Sequence, residues 1–314
     1  MPESSVTHNA LKTRAGAPGL RREPPDMPLE FVLVDAFTRE AFAGNPCAVF
    51  PDAGDLDART MQRIANEMNL SETAFVVPSE RADAGVRYFT PIEEMPLAGH
   101  PTIATAHVLY GRGRIGARAT FEMPAGIVPV VCARDGDGLR YTMTQPAPHF
   151  LGAVEPEWIA RGLGLAAADL LDAPPPRTVS TGSPMLMVPL AAEGALDRCA
   201  PDRAALFADP ARAFLSVHAF VRLTGADPAF AARHFSPPGD VPEDPVTGSA
   251  CGAMSALAFA AGLIDEPVFT VSQGRHVGRP GTVFVEVLGR PDAIAGVRIG
   301  GHAVTVATGR LDLS

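Results

Sequence analysis

Two stretches of the chain are apolar around the whole circumference of a helix. They run from Pro101 to Tyr110 and from Ala250 to Ile264, and neither contains a charged residue. A helix of this kind must be covered on most of its sides. We therefore predict that a curved sheet wraps around each of them, because a flat sheet would leave one side in water.

Shorter patterns flank each apolar helix in the same order. Leu56–Asn66 and Pro201–Phe214 have the spacing of amphipathic helices, and Ser71–Val76 and Ser216–Val221 have the composition of strands. In this alignment Glu72 corresponds to Val217. Further matching pairs are Gly44-Asn45-Pro46 with Gly182-Ser183-Pro184, Arg87-Tyr88-Phe89-Thr90-Pro91 with Arg233-His234-Phe235-Ser236-Pro237, Gly99-His100 with Gly248-Ser249, and Phe121–Gly126 with Phe269–Gly274.

Six elements that recur in one order indicate a duplication. The fold class that we predict is α/β (α+β), with two pseudo-symmetric lobes, each a small, mostly antiparallel β-barrel around a central helix. Residues 28–144 form the N-terminal lobe and residues 145–314 the C-terminal lobe, whose last strand is able to pack back on the first lobe. Residues 1–27 lack apolar periodicity, which predicts a disordered tail or a start assigned too far upstream.

Composition excludes several function classes. The chain has 26 Lys+Arg and 35 Asp+Glu, a net charge of −9, which argues against a nucleic-acid partner. Its only lysine is Lys12, so a pyridoxal Schiff base or a P-loop in the folded body is not expected. The absence of a leader pattern and of paired cysteines predicts a cytoplasmic protein. The charge-free segment from Pro245 to Ile264 is interpreted as a buried helix, so no membrane partner is expected.

The helix starts predict where a ligand binds. Each central helix begins with glycine followed by a small or polar residue, and two such N-termini that face each other form an anion site. We therefore expect a substrate with a carboxylate. The two copies differ in their acids, because Glu72 has no acidic counterpart and the segment at Glu243-Asp244 is longer than its match. One acid is thus contributed by each lobe.

Several short motifs follow one another along the chain: Asp35–Thr38, Gly44–Pro46, Asn69–Phe75, Arg87–Pro91, Pro96–Thr102, Glu243–Ala250, Gln273-Gly274, Gly278–Pro280 and Gly300-Gly301. Together they resemble the PhzF family of phenazine-biosynthesis isomerases, within the diaminopimelate-epimerase-like fold. The resemblance implies a homodimer that works without cofactor or metal, with Glu72 as the proton-transferring acid/base and with His100 and Asp244 in the same cleft. It also implies a substrate contact from Ser249, and we predict further substrate contacts from Gly99, Gly248, Asn45 and Gln273.

The predicted function is a cofactor-independent isomerase that moves a proton between carbons of a small carboxylate-bearing substrate, dihydro-hydroxyanthranilate-like or related. An amino-acid epimerase or racemase and a non-catalytic binding protein are the alternatives. The related epimerases carry cysteines where this chain has Ala98 and Thr247, which speaks against the two-thiol mechanism. Asp244 has a second interpretation as the N-cap of the following helix, and Cys251 is interpreted as a buried structural thiol.

Overall fold

The computed structural model describes residues 28–225 and 227–313, so the tail predicted for residues 1–27 lies outside the described residues. One sheet of eighteen strands curves around two helices. The first half contains β1 (Leu29–Ala36), β2 (Asn45–Phe50), α1 (Ala58–Met68), β3 (Glu72–Val77), β4 (Ala84–Phe89), β5 (Glu94–Met95), α2 (Gly99–Gly111), β6 (Arg118–Met123), β7 (Gly126–Asp135) and β8 (Gly138–Gln145).

The second half repeats this order with extra helices. It contains β9 (His149–Ala153), α3 (Pro156–Gly162), β10 (Arg177–Ser180), β11 (Pro184–Leu190), α4 (Glu193–Arg198), α5 (Arg203–Leu206), β12 (Val217–Arg222), β13 (Phe230–Phe235), β14 (Glu243–Asp244), α6 (Gly248–Ala260), β15 (Val268–Gln273), β16 (Gly281–Arg290), β17 (Ala293–Gly301) and β18 (Ala303–Leu311).

Strand pairing is the same in both lobes. In the N-terminal lobe β1 pairs with β2, β2 with β3 in parallel, β3 with β4, β4 with β6 in parallel, β6 with β7 and β7 with β8. In the C-terminal lobe β10 to β13 and β15 to β17 follow the same series, again with two parallel pairs. The duplication and the mixed α+β fold predicted from the sequence are therefore confirmed.

The two lobes exchange strands. β8 pairs with β17, which joins the lobes into one sheet. After β8 the chain crosses to add β9 to β10, and after β17 it crosses back to add β18 to β1. The lobe boundary between residues 144 and 145 stays a prediction, since β8 ends at Gln145 and β9 begins at His149.

A single apolar core surrounds both central helices. α2 and α6 are buried on almost all sides by the inner faces of the strands, as expected for helices without a polar face. The amphipathic α1 covers the outer face of β2 and β3, and α3, α4 and α5 cover the outer face of the C-terminal lobe. Among the described residues no helix has the length and apolar character needed to cross a bilayer.

The ladders correct one detail of the sequence alignment. Thr73 pairs with Phe89 and Ala48, and Val217 pairs with the equivalent Phe235 and Leu186. The structural counterpart of Val217 is thus Thr73. The alignment of Glu72 with Val217 is wrong by one residue, and Ser216 is the counterpart of Glu72. The acid nevertheless has no acidic counterpart in the other lobe.

Candidate active site

The starts of the two central helices meet at the junction of the lobes. A Cβ built on Gly99 would lie 2.7 Å from Cα of Gly248 and 2.6 Å from the backbone nitrogen of Ser249. The cap residues Ala98 and Thr247 make no side-chain hydrogen bond to the first turns, within the part of the chain that the structure describes. Two positive helix ends with open N–H groups therefore face the same small volume, as the sequence analysis expects.

Glu72 begins β3 and points to the inner face of the N-terminal lobe. Its side chain is 15 % exposed, and Oε2 lies 3.4 Å from Nδ1 of His100. No hydrogen-bond partner of Oε2 is found among residues 28–225 and 227–313. Burial raises the pKa of Glu72 well above its ordinary value, and the charges of Asp244 and Asp240 raise it further. Glu72 is therefore not a solvated surface carboxylate.

Asp244 lies across the lobe junction, at the end of the short strand β14. Its Oδ1 accepts a hydrogen bond of 2.7 Å from Nδ2 of Asn45, and its Oδ2 accepts one of 2.5 Å from Oγ1 of Thr247. Burial raises the pKa of Asp244, whereas hydrogen bonds from Ser71, Thr247 and Asn45 oppose that rise. The N-cap of α6 is Thr247. The alternative interpretation of Asp244 as the cap is therefore wrong.

Asn45 connects the two lobes through its amide group. Besides Asp244, Nδ2 donates to the carbonyl oxygen of Val246 at 2.9 Å and lies 2.9 Å from Nδ1 of His100. The same interlobe contact occurs in reverse, because Oγ of Ser183, the counterpart of Asn45, donates to the carbonyl oxygen of Leu97. Each lobe thus donates a side-chain hydrogen bond to the residue that lies two positions before the other lobe's central helix.

His100 is the second residue of α2 and is fully covered. Burial lowers its pKa to about 3, so the imidazole is neutral near pH 7. Its Nε2 has no partner among the residues that the structure describes. A buried ring nitrogen without a partner, next to a carboxyl group with a raised pKa, is uncommon in a purely structural role. This combination favours a role in ligand binding.

Glu72, His100 and Asp244 each offer a ligand atom within 4.8 Å of the other two, a spacing that a metal ion could bridge. The Asn45 amide nitrogen, however, already lies 2.7 Å from Oδ1 of Asp244 and 2.9 Å from Nδ1 of His100. A cation placed between these two atoms would meet the amide protons. The donor set is therefore better described as a hydrogen-bonded cluster than as a metal centre.

Gln273 and Ser249 have different surroundings. Gln273 donates through Nε2 to the backbone oxygen of Asp244 at 2.9 Å and accepts from the backbone nitrogen of Thr247 at 3.1 Å. It therefore fixes the segment between β14 and α6. Ser249 is buried in the first turn of α6, beside Gly99.

Two contributors to the site have no clear signal in the sequence. Asp240 lies in the loop before β14, and its charge raises the pKa of Glu72. Cys47 is paired with Glu72 in the parallel ladder of β2 and β3, and it faces the same interior. Burial raises the pKa of the Cys47 thiol, and the Glu72 charge adds to the effect, so this cysteine is not a thiolate.

Two cavities of the surface lie away from the two carboxylates. One of about 610 Å³ lies beside the loop after β1 and is lined by Arg39, Gln273 and Arg275. Another of about 570 Å³ lies on the outer face of β15 and β16. Glu72, His100 and Asp244 are covered instead by the junction of the lobes.

Comparison with known proteins identifies the family of the chain. The model of the PhzC-PhzF family, described as phenazine biosynthesis-like protein, matches residues 34–309. The chain belongs to the PhzF family. It is 35 % identical over 283 residues to trans-2,3-dihydro-3-hydroxyanthranilate isomerase of Pseudomonas aeruginosa, covering 89 % of this chain and 98 % of that protein. Its named relatives at this identity are isomerases, and the chain is an isomerase.

Solved structures show the same fold. A PhzF-family protein of Bacillus anthracis has a TM-score of 0.80 and 32 % identity, with 91 % of this chain and 100 % of that chain covered. A hydroxyproline epimerase of Agrobacterium vitis has a TM-score of 0.63 at 16 % identity, with 92 % and 93 % covered, and is similar in fold alone.

Proposed function

We propose that this PhzF-family isomerase moves a proton between two carbons of a small carboxylate-bearing substrate, with Glu72 as the single general acid/base. The observation that carries the proposal is the state of Glu72. Its carboxylate is largely covered, has a raised pKa and keeps one oxygen unpaired among the described residues, at the point where two helix starts meet.

The raised pKa suits proton transfer at carbon. A general acid/base works best when its pKa lies near the pH of the reaction. Ionised Glu72 takes a proton from one carbon, and the electron pair that is left delocalises over the conjugated substrate. The acid proton of Glu72 exchanges with solvent, and protonated Glu72 then delivers a proton to another carbon, so that the enzyme ends in its starting state and no co-reactant is consumed.

The neighbours of Glu72 have distinct roles in this proposal. Neutral His100, whose Nδ1 lies 3.4 Å from Oε2 of Glu72, packs beside the carboxylate without adding a charge that would lower its pKa. Asp244, held by Asn45 and Thr247, orients a polar group of the substrate. Its negative charge also keeps the pKa of Glu72 high.

The helix starts are the proposed carboxylate site. Gly99, Gly248 and Ser249 supply backbone N–H groups at two positive helix ends. These dipoles are fixed before the substrate arrives, so they stabilise negative charge as it develops without rearranging. The described part of the chain contains no lysine, and the anion is bound in this proposal by backbone groups.

The substrate named for the Pseudomonas aeruginosa relative gives the test. We expect this protein to convert trans-2,3-dihydro-3-hydroxyanthranilate in D2O with one deuterium incorporated at the newly protonated carbon, measured by NMR. When turnover is slow, the acid proton of Glu72 has time to exchange with D2O. Isomerised product without deuterium under these conditions would contradict proton transfer through the Glu72 carboxylic acid. Label at one stereocentre with inversion would indicate an epimerase, and binding without label would indicate a binding protein.

The epimerase alternative lacks its thiols here. The two N-cap positions carry Ala98 and Thr247, and Cys251 lies one turn into α6 with Sγ 3.8 Å from Oε1 of Gln273. Burial raises the pKa of the Cys251 thiol. A neutral, packed thiol is a poor base.

The homodimer and the cytoplasmic location implied by the resemblance stay proposals. Sedimentation equilibrium of the purified protein tests the first, with a mass of about twice 32.8 kDa expected. A single-chain mass at micromolar concentration would contradict it.

A further inference from the structure

Two loops that differ in length between the lobes contact each other. The β1–β2 loop spans residues 37–44, whereas its counterpart between β10 and β11 spans residues 181–183. The β15–β16 connection spans residues 274–280, whereas its counterpart between β6 and β7 spans residues 124–125. The two longer loops belong to opposite lobes, and the backbone nitrogen of Gly44 donates to Pro280 O at 3.0 Å.

Arg279 fastens these loops together. Its Nη2 donates to Oδ1 of Asp35 at 2.5 Å and to the carbonyl oxygen of Ala43 at 3.0 Å, and its Nε donates to the carbonyl oxygen of Gly44 at 2.9 Å. Asp35 is only 2 % exposed, and its Oδ2 accepts from the backbone nitrogen of Phe42 at 2.6 Å. One side chain of the C-terminal lobe thus fixes both ends of a loop in the N-terminal lobe.

The fastened loop has an unfavourable backbone. Phe37 and Phe42 have φ angles of 65° and 70°, in the left-handed region that residues with a Cβ seldom adopt. Such conformations persist only where the surroundings determine them. Here the hydrogen bonds that Arg279 donates, and the bond from Thr282 N to Phe37 O, hold the loop backbone in this conformation.

The loop ends at the residue that bridges the active site. Gly44, whose carbonyl oxygen is held by Arg279, directly precedes Asn45, and the Asn45 amide contacts Asp244, Val246 and His100. We propose that Arg279 is a positioning residue, which sets the Asn45 amide between Asp244 and His100 by clamping the β1–β2 loop across the lobe junction. Its catalytic consequence rests on the proposed function.

The geometry requires a guanidinium group. Arg279 reaches a carboxylate oxygen and two carbonyl oxygens with nitrogens of one rigid plane. An ammonium group is a single point with a flexible stem and cannot serve the same three acceptors at once. Lysine at this position should therefore restore the charge opposite Asp35 but only part of the loop geometry.

The test reads the Asn45 side chain directly. The chain has four asparagines, at positions 9, 45, 66 and 69, so labelling with 15N-asparagine gives four side-chain NH2 signals. The Asn45→Ala variant assigns the Asn45 pair by its disappearance. The NH2 signal of Asn66, which donates to Pro91 O, is an internal reference.

The variants to compare are Arg279→Gln, Arg279→Lys and a control, Arg87→Gln. Arg87 makes a bidentate pair with Glu94 inside one lobe, and the side chains of Arg87 and Arg279 are similarly exposed, at 28 % and 26 %. The control thus removes a similar ion pair without touching the loop.

We expect the Asn45 signals to shift, broaden and exchange faster with water in Arg279→Gln, less so in Arg279→Lys, and not in Arg87→Gln. We also expect kcat for isomerisation of trans-2,3-dihydro-3-hydroxyanthranilate to fall at least about tenfold in Arg279→Gln, because misplaced groups slow an oriented reaction, with a smaller change in KM.

Unchanged Asn45 signals in Arg279→Gln, or in Arg279→Lys if the Gln variant does not fold, would overturn the proposal. So would shifted signals with wild-type kcat. If wild-type protein does not turn over this substrate but its Asn45 signals respond as expected, the positioning of Asn45 stands and the proposed reaction fails.

Discussion

Gly99 and Gly248, the first residues of the two central helices, pack directly against each other. A Cβ on Gly99 would lie 2.7 Å from Cα of Gly248, and one on Gly248 would lie 3.3 Å from Cα of Gly99. The backbones of the two helix starts therefore approach closely at these glycines, and a Cβ on Gly248 would also meet Cζ of Phe37 at 2.6 Å. Because of this contact, the open backbone N–H groups in the first turns of α2 and α6 face the same small volume.

Replacing Gly99 with alanine should separate the helix starts. The added methyl group would meet backbone atoms that cannot rotate away, so we expect a loss of about 1–3 kcal/mol in the free energy of unfolding, typical of overpacking. We also expect slower isomerisation. Urea denaturation and steady-state kinetics check both effects.

Gly111→Ala is the matched control, because Gly111 ends the same helix and has nothing within 4 Å of a built Cβ. Alanine there should leave activity unchanged and should stabilise slightly. A Gly99→Ala variant that kept wild-type stability and rate would show that the close contact of the two helix starts is not required.

The pH dependence of the reaction should respond to Asp240. The charge of Asp240 raises the pKa of Glu72, and the pKa of Asp240 itself is raised to about 6 by burial. Because ionised Glu72 is the base, activity should rise as the pH passes its raised pKa. Removing the neighbouring charge in Asp240→Asn lowers that pKa, so the acidic limb of kcat/KM should move to lower pH.

Measuring kcat/KM from pH 4.5 to 9 checks this shift, with Asp137→Asn as a control at a fully exposed aspartate. An acidic limb that stayed in place or moved to higher pH in Asp240→Asn would exclude the electrostatic link between Asp240 and Glu72.

A buried histidine pair should make stability sensitive to acid. His218 and His234 face each other across β12 and β13 with their Nδ1 atoms 3.2 Å apart. Burial lowers the pKa of His234 to about 3 and that of His218 well below its ordinary value. Unfolded chains protonate both near pH 6.5. Their contribution to stability is therefore complete above that pH and is lost as the pH falls.

The equivalent positions in the other lobe supply the variant. Ala74 and Tyr88 pair there as His218 and His234 do here. The double variant His218→Ala/His234→Tyr should become more stable relative to wild type as the pH falls. The difference in free energy of unfolding should grow by about 1.4 kcal/mol per histidine for each pH unit below 6.5. Urea denaturation between pH 7.5 and 5 measures the difference, and a difference that did not change with pH would contradict the assignment of two neutral histidines.

The sequence predicts the duplication well but misplaces one register. The motif alignment matches Phe75 with Phe220, since both precede valine. In the structure Phe75 packs outside its strand against α1, whereas Phe220 faces the inner core. A shift of one residue exchanges the two faces of a strand. The residue types alone do not reveal that shift. The pairing partners in the sheet determine the register.

Local motifs also identify the acids and the helix starts, because each lies beside a glycine or proline signal. Asp240 lies outside these motifs, and the motif Gly278–Pro280 contains Arg279 without indicating what its side chain contacts. Their importance depends on which loop of one lobe contacts the other lobe. Arg279 and its partner Asp35, for example, are 244 positions apart in the sequence. Contacts of that kind follow from the packing of the lobes and not from local sequence pattern.

The most direct test of the account is solvent exchange by Glu72→Gln. Glutamine keeps the size of the side chain and a hydrogen-bonding oxygen but cannot accept a proton from carbon. We expect deuterium incorporation into trans-2,3-dihydro-3-hydroxyanthranilate in D2O to fall at least about 100-fold relative to wild type. The denaturation midpoint in urea should stay at or above that of wild type, because glutamine removes a buried charge that the neighbouring acids repel. Exchange near the wild-type rate in folded Glu72→Gln would contradict the assignment of Glu72 as the acid/base.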